Sequence, residues 1–416
     1  MKINETIRKD GLRIITVSLP NQRKVHVEIV CRVGSAYDPS DKRGLFHFFE
    51  HMAFKGTKRR SVEEIQSFSK HNLLELNATT GQLATTYYGV AVYTKFKKVC
   101  DLLFDIYSNS TFPAKELKKE RGPVLLEIAR SKDKDVHVAH SALVRELWRK
   151  NPMRLPGPGT IKGVHAVRRT DLFREKKRWN VPSSTVALAI GKVDHRAFVK
   201  EVNKHMPLRL KKVNFLTWGD EYAELPRRQK IVVKKHGRKK AIVMLGFKLP
   251  IELPERTWIC ISACLTQLLV SGSSSWLWKE VREKRGLAYS VDGGIVSTTG
   301  LGRYFFVKVE TSPEHVGTVQ RLIQKALTRP LTDKDAFEEM REHTLDWMTL
   351  GFEDRFDLYE SVIWQKIGRN QSVKSTAQYL TNRHRVISSL SMKEVETVRK
   401  EFFRPERFVT VIVKPM

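Results

Sequence analysis

Cysteine is scarce in this chain: Cys31, Cys100, Cys260 and Cys264 are the only four in 416 residues. That excludes a disulfide framework and fits a reducing, cytoplasmic compartment. Cys260 and Cys264 stand four apart in an apolar stretch with no second ligand pair at zinc-finger spacing, so core packing is expected of them. Long hydrophobic runs are missing as well. The opening MKINETIRKDGLRIITV has no apolar run of the signal-peptide kind, and Glu5 and Asp10 argue against a mitochondrial presequence. The charge-free stretch Thr257–Trp278 is interrupted by Thr, Gln, Gly and a Ser cluster. Its apolar core is too short to span a bilayer, and it reads as a buried helix and a turn. No membrane association is expected. Acidic charge is in deficit, with 45 Asp and Glu against 75 Lys and Arg and a formal net charge of +30. The surplus is dispersed in small clusters such as Lys95-Phe-Lys-Lys98, Arg174-Glu-Lys-Lys-Arg178 and Lys234-Lys-His-Gly-Arg-Lys-Lys240. Such charge favours acidic partners. No aromatic-interleaved motif accompanies it, so a nucleic-acid partner is not expected.

What is present is a chain able to bury sizeable cores, 41% hydrophobic and long enough for two domains. Leu12–Val17 and Val25–Val33 are apolar, β-branched runs that read as strands. Leu45–Lys55 reads as a helix. Ser61 with Glu64 is a capping-box signal for another at about 62–71. Thr85–Tyr93 alternates as a strand does. Lys95–Asn109 carries apolar residues at 99, 102, 103 and 106, a helical stripe, and Lys115–Ser131 is a long helix pattern. This order recurs 217 residues later: Tyr93-Thr94 answers to Glu310-Thr311, Val99 to Val316, Ile106 to Ile323, and Thr111-Phe-Pro113 to Thr328-Arg-Pro330. Two homologous domains are expected, at 1–207 and 229–416, joined by a linker at 208–228 that lacks clean periodicity.

The stretch LFHFFEHMAFKGT at 45–57 contains His47-Phe48-Phe49-Glu50-His51. Residues four apart stand one above the other on a helix, so His47 and His51 could bind one cation, with Glu50 within reach of a water on it. Zinc suits nitrogen and oxygen ligands and keeps an open position in catalytic sites. Taken alone, the same spacing also occurs on helices that bind nothing, and the motif needs structural context. Glu120 and Glu127 lie seven apart, on one face of the expected helix at 115–131. Glu127 follows Val124-Leu125-Leu126, an apolar setting in which an unpaired carboxylate is costly and a metal would be its partner. Glu120 could orient a ligand histidine. The second copy has no histidine pair at the corresponding position, near Cys264, so only the first domain would carry metal.

Over nearly its whole length the chain resembles the pitrilysin, insulysin and mitochondrial processing peptidase group of zinc metallopeptidases. GSAYDPSDKRGLFHFFEHMAFKGT is similar to that group's first-domain signature. Glu127 falls 76 positions after His51, at the group's distance for its third zinc ligand, and Glu120 falls on a companion glutamate. The resemblance implies one zinc held by His47, His51 and Glu127, with Glu50 as general base and Glu120 in a supporting catalytic role. Leu76-Asn77-Ala78-Thr79-Thr80 resembles the segment on the strand that edges the cleft, implying Asn77 and Ala78 as peptide-binding residues. This chain has Leu73-Leu74 where the group often has a Gly-Gly pair. GSSSWLWKEVREKRGLAYSV resembles a substrate-clamping segment, implying Arg282 and Tyr289 as further peptide contacts. The fold implied is α+β: two homologous α/β-sandwich domains, each a mostly antiparallel sheet covered by helices, together half of a closed chamber. Small two-domain members pair, which implies a homodimer or a heterodimer with a related subunit. The expected function is zinc-dependent endoproteolysis of short or unfolded peptides. The basic charge points to acidic or neutral substrates. A non-catalytic subunit of the same fold is the alternative, and loss of His47, Glu50, His51 or Glu127 would have marked it.

Overall fold

The computed structural model describes residues 2–354, 373 and 376–416. The chain divides into two compact units, each built on its own sheet.

The first sheet has six strands: β1 (Lys2–Ile7), β2 (Arg13–Ser18), β3 (Lys24–Cys31), β4 (Glu75–Thr80), β5 (Thr85–Val92) and β6 (Thr185–Gly191), in the order β1-β2-β6-β3-β5-β4. Only β2 and β6 pair in parallel. Alternation along β3 sends Val25, Val27, Ile29 and Cys31 into one core. The helices of this unit are α1 (Leu45–Ala53), α2 (Val62–Asn72), α3 (Phe96–Asn109) and α4 (Ala114–Asp133). After α5 (Asp135–Leu147) come α6 (Ile161–Ala166), α7 (Arg169–Trp179) and α8 (His195–His205). The helix α3 lays its expected stripe, Val99, Leu102, Leu103 and Ile106, into the same core. The capping box at α2 is formed in both directions, with Ser61 N–H to Glu64 Oε2 at 2.7 Å and Glu64 N–H to Ser61 Oγ at 3.2 Å.

The second sheet runs β7-β11-β8-β10-β9, from β7 (Lys230–Lys235), β8 (Ala241–Leu249), β9 (Ala288–Thr298), β10 (Gly302–Thr311) and β11 (Val409–Pro415). Its one parallel pair is β7 with β11. Strand for strand this repeats the first sheet from β2 onward, so the repeat legible in the sequence is a repeat of topology. Its register is not constant, however. Thr85 and Gly302 begin equivalent strands 217 apart, but the helices that follow begin at Phe96 and Val316, 220 apart. Val99 is therefore matched by the buried Val319, not by Val316. Helix α9 (Glu255–Ile259) runs through a wider π-helical turn, Cys260–Leu265, into α10 (Thr266–Leu269), with Cys260 and Cys264 buried in the second core. Then follow a serine-rich turn, α11 (Trp276–Trp278), α12 (Val316–Thr328) and α13 (Lys334–Asp354).

Residues 132–155 pack with the second unit, although they precede the linker in sequence. Helix α5 lies on β8 and β11. A Cβ at Gly246 would come within 2.7 Å of Leu143 Cδ2, so the helix approaches the strand closely only because that position is glycine. The expected first domain, 1–207, thus gives up this segment. No helix among the described residues is long and apolar enough to cross a membrane.

Candidate metal centre

Helix α1 is fixed along its side and at its start. Leu45, Phe46, Phe48, Phe49 and Met52 are buried in the first core, and this directs His47, Glu50 and His51 to a cleft. At the start, Gly44 has φ of 102°. The Asp38 carboxylate accepts from Gly44 N–H at 2.7 Å and Phe46 N–H at 3.0 Å, satisfying amides that the helix cannot. A Cβ on Gly159 would stand 2.2 Å from Gly44 Cα, so backbone rests directly on backbone there. That contact sets Gly157 and Pro158 at the wall of the cleft.

Helix α4 is joined to α1 through Phe112, a buried non-glycine residue at φ of 45°, whose ring lies 5.2 Å from Phe49. Along α4, Val124 and Ile128 turn inward and Glu120 is buried with them. Glu127 does not share the apolar setting expected from its sequence neighbours: its side chain is 52% exposed. Helical phase sends Val124 and Ile128 to the core and leaves Glu127 at the cleft mouth, where a lone carboxylate carries little desolvation cost. The buried carboxylate is Glu120, and it is paired. It lies 3.0 Å from His51 Nδ1 and 2.6 Å from Lys55 Nζ.

His47 Nε2 faces Glu127 Oε1 at 3.5 Å, and His51 Nε2 faces Glu127 Oε2 at 3.6 Å. Among the described residues these three form the only group whose donor atoms could share one ion, all within 4.8 Å of one another. The residues fit zinc. Ligands at about 2.0–2.1 Å in a tetrahedron stand roughly 3.3 Å apart, near the observed separations, which are too long for good hydrogen bonds. His47 is no satisfied core histidine either, since its buried Nδ1 has no hydrogen-bond partner of ordinary geometry.

Burial pulls His47 below its ordinary pKa and the charge of His51 adds to this, against Glu127 and the nearby Pro158 carbonyl. Burial alone would lower His51 too. There the hydrogen bond donated to Glu120 and the charges of Glu50, Glu120 and Glu127 win, and it is raised. Burial would raise Glu120, but His51 and Lys55 hold it below the usual carboxylate range. Burial pushes Glu50 up, opposed by Thr80 and His51 and helped by Glu127. The Thr80 hydroxyl donates to Glu50 Oε2 at 2.6 Å. Ala78, Thr79 and Thr80 line the cleft, whose volume is about 400 Å³.

Strand β4 is the edge of its sheet. Asn77 is exposed on it, and its carboxamide oxygen accepts from Ala78 N–H at 2.9 Å. Arg282 belongs to the second unit, where its guanidinium lies 4.5 Å from the Trp278 ring centre. Tyr289 is in β9, and its side chain is outside the described residues. Sequence reasoning missed roles for Asp38, Lys55, Thr80 and the Pro156–Thr160 turn. Only the turn had a visible signal, its Pro-Gly-Pro-Gly run.

Residues 13–160 match the family model described as Insulinase (Peptidase family M16), and residues 166–342 match the Peptidase M16 inactive domain. An uncharacterized zinc protease of Rickettsia bellii is 30% identical over 298 residues, 68% of this chain and 67% of that protein. The chain belongs to peptidase family M16. An uncharacterized zinc protease of Streptomyces coelicolor is 31% identical over 297 residues, 70% of this chain, and the match spans 63% of that protein's length. A protease of Helicobacter pylori of known structure shares the fold of this chain, with a TM-score of 0.86 at 21% identity, covering 100% of this chain and 99% of that one. The description "inactive domain" applies to the M16 segment 166–342, whereas the histidine and glutamate trio lies within 13–160.

Proposed function

We propose that this M16 chain is a zinc-dependent endopeptidase acting on short or unfolded peptides. The observation that carries the reading is the convergence of His47, His51 and Glu127 from two helices on one point beside Glu50, at the wall of an open cleft. His47, His51 and Glu127 would hold one zinc, which when bound supplies a Lewis acid and a water of pKa about 7. Glu50, steadied by the Thr80 hydroxyl, takes the proton of the attacking water and passes it to the leaving amine. Glu120 fixes His51 through Nδ1, leaving Nε2 for the ion. The edge of β4, unpaired among the described residues, offers an extended peptide a strand to pair with, and Asn77 and Ala78 lie on that edge. Arg282 and Tyr289 are the peptide-binding candidates of the second unit. The active form is proposed to be a homodimer, which sedimentation of the purified chain will test. A related partner subunit is the alternative.

The deciding experiment compares parent and Glu50→Gln by metal analysis and peptide-library digestion. Both should hold about one zinc per chain, and only the parent should cleave. A purified parent that holds zinc and cuts nothing supports the non-catalytic or heteromeric subunit instead. The net charge of +30 adds a proposal on substrates, that acidic and neutral peptides are preferred. Equal rates on matched acidic and basic peptides at low salt would rule it out.

A further inference from the structure

The second unit contains a cavity of about 580 Å³ that plays no part in the zinc chemistry. That volume lies within the range of about 300–1,000 Å³ usual for ligand sites. Its floor is apolar. Phe337 and Met340 are 2% and 7% exposed, and Leu268 and Met392 pack against the same core. Two methionines give such a floor room to adapt to more than one side group. Trp276 forms a wall, its ring flanked by Arg329 at 5.1 Å and Lys325 at 5.9 Å, cation contacts that hold the indole in place.

The lining carries charge of both signs, Lys279 and Arg329 against Asp333 and Glu339, with His343 beside them. Lys279 stands three residues after Trp276, on the same side of the helical turn. The adjacent Glu280 is committed to Lys284 and Arg285, so it does not neutralise Lys279. Among the described residues neither Lys279 nor Arg329 is in an ion pair, and the Arg329 guanidinium lies over the Trp276 indole. Asp333 lies on the lining too, but its carboxylate caps α13 by accepting from Ala336 N–H at 3.0 Å. Glu339 stands on the α13 wall, which opposes a second negative charge on any occupant.

We propose that this cavity binds an amphiphilic monocarboxylate: an aromatic or branched apolar group on the floor, with one carboxylate held by Lys279 and Arg329. The C-terminal residue of a peptide and a free aryl or alkyl carboxylate share this chemistry. Burial of the apolar group supplies most of the attraction, and Lys279 and Arg329 select for the charge.

Calorimetric titration of the full-length chain tests the proposal. It is run with a chelator, so that no hydrolysis contributes and the outcome is independent of the zinc reading. The probes are N-acetyl-phenylalanine, its uncharged amide, and an acetylated tripeptide ending in phenylalanine. The acid should bind about tenfold or more tightly than the amide. Lys279→Glu should weaken the acid by about tenfold and change the amide by less than about twofold, and Lys279→Gln should weaken the acid by about threefold. Ala336→Trp, which fills the cavity, should abolish both. A tripeptide that binds at least as well as the single residue assigns the site to chain termini, and a weaker one assigns it to free carboxylates. Equal binding of acid and amide overturns the proposal, as does acid binding unmoved by both Lys279 variants or no heat in the millimolar range.

Discussion

His51 is gripped from both sides of its ring. Nδ1 meets Glu120, which Lys55 in turn holds, and Nε2 faces Glu127. Removing Glu120 should therefore loosen the metal without touching a ligand. Glu120→Ala is expected to cut zinc affinity by about 10–100-fold, with Glu120→Gln recovering part because the amide oxygen still accepts from Nδ1. Competition with a chelating dye measures this, and an Ala variant that binds zinc like the parent would assign Glu120 to structure alone. At this scale the sequence was informative about chemistry and less so about surroundings. His47, Glu50 and His51 were legible as candidates on one helix face from residue type and spacing, and Glu127 joined them through the family resemblance. The exposure of Glu127 was not, because neighbours in sequence point elsewhere on a helix. Thr80 is 30 residues from Glu50, and nothing periodic links a strand hydroxyl to a helix carboxylate.

Among the elements, α1 depends on groups outside itself. The Asp38 cap and the Gly44–Gly159 contact set its first turn, hence the direction of His47. Asp38→Ala leaves buried amides unpartnered and should cost about 1–2 kcal/mol, seen as a lower denaturation midpoint. Asp38→Asn should recover most of it, and an unchanged midpoint for Ala would mean that the turn at 156–160 alone fixes the helix. The α2 capping box and the α3 stripe were readable because both are local patterns with a mechanism. The order of strands in each sheet was not, since pairing joins residues as far apart as Val17 and Ile190.

For the molecule as a whole, pH and charge are the levers. At Asp10 burial would raise the pKa, but Arg8 and the Arg209 amide hold it below 3.8, and at Asp171 Lys42 and the Arg168 amide outweigh burial in the same way. A depressed carboxyl contributes stability above its unfolded pKa and loses it as pH falls through the folded value. Both contributions are thus intact at neutral pH and fade below about pH 4. Denaturation midpoints should fall in that window, and Asp10→Asn should flatten the fall. A midpoint unchanged from pH 6 to 3 would contradict the assignment.

The sequence by itself determined the donor types, the helices and strands with regular periodicity, and the presence of two copies of one topology. These rest on local spacing, which the backbone geometry of a helix or strand converts directly into a shared face. Tertiary structure alone decided that Glu127 stands at the mouth and Glu120 inside, that Thr80 holds Glu50, and that α5 serves the second sheet. Each of these depends on which distant surfaces pack together. That is settled by the burial of whole faces at once, not by any residue's neighbours along the chain.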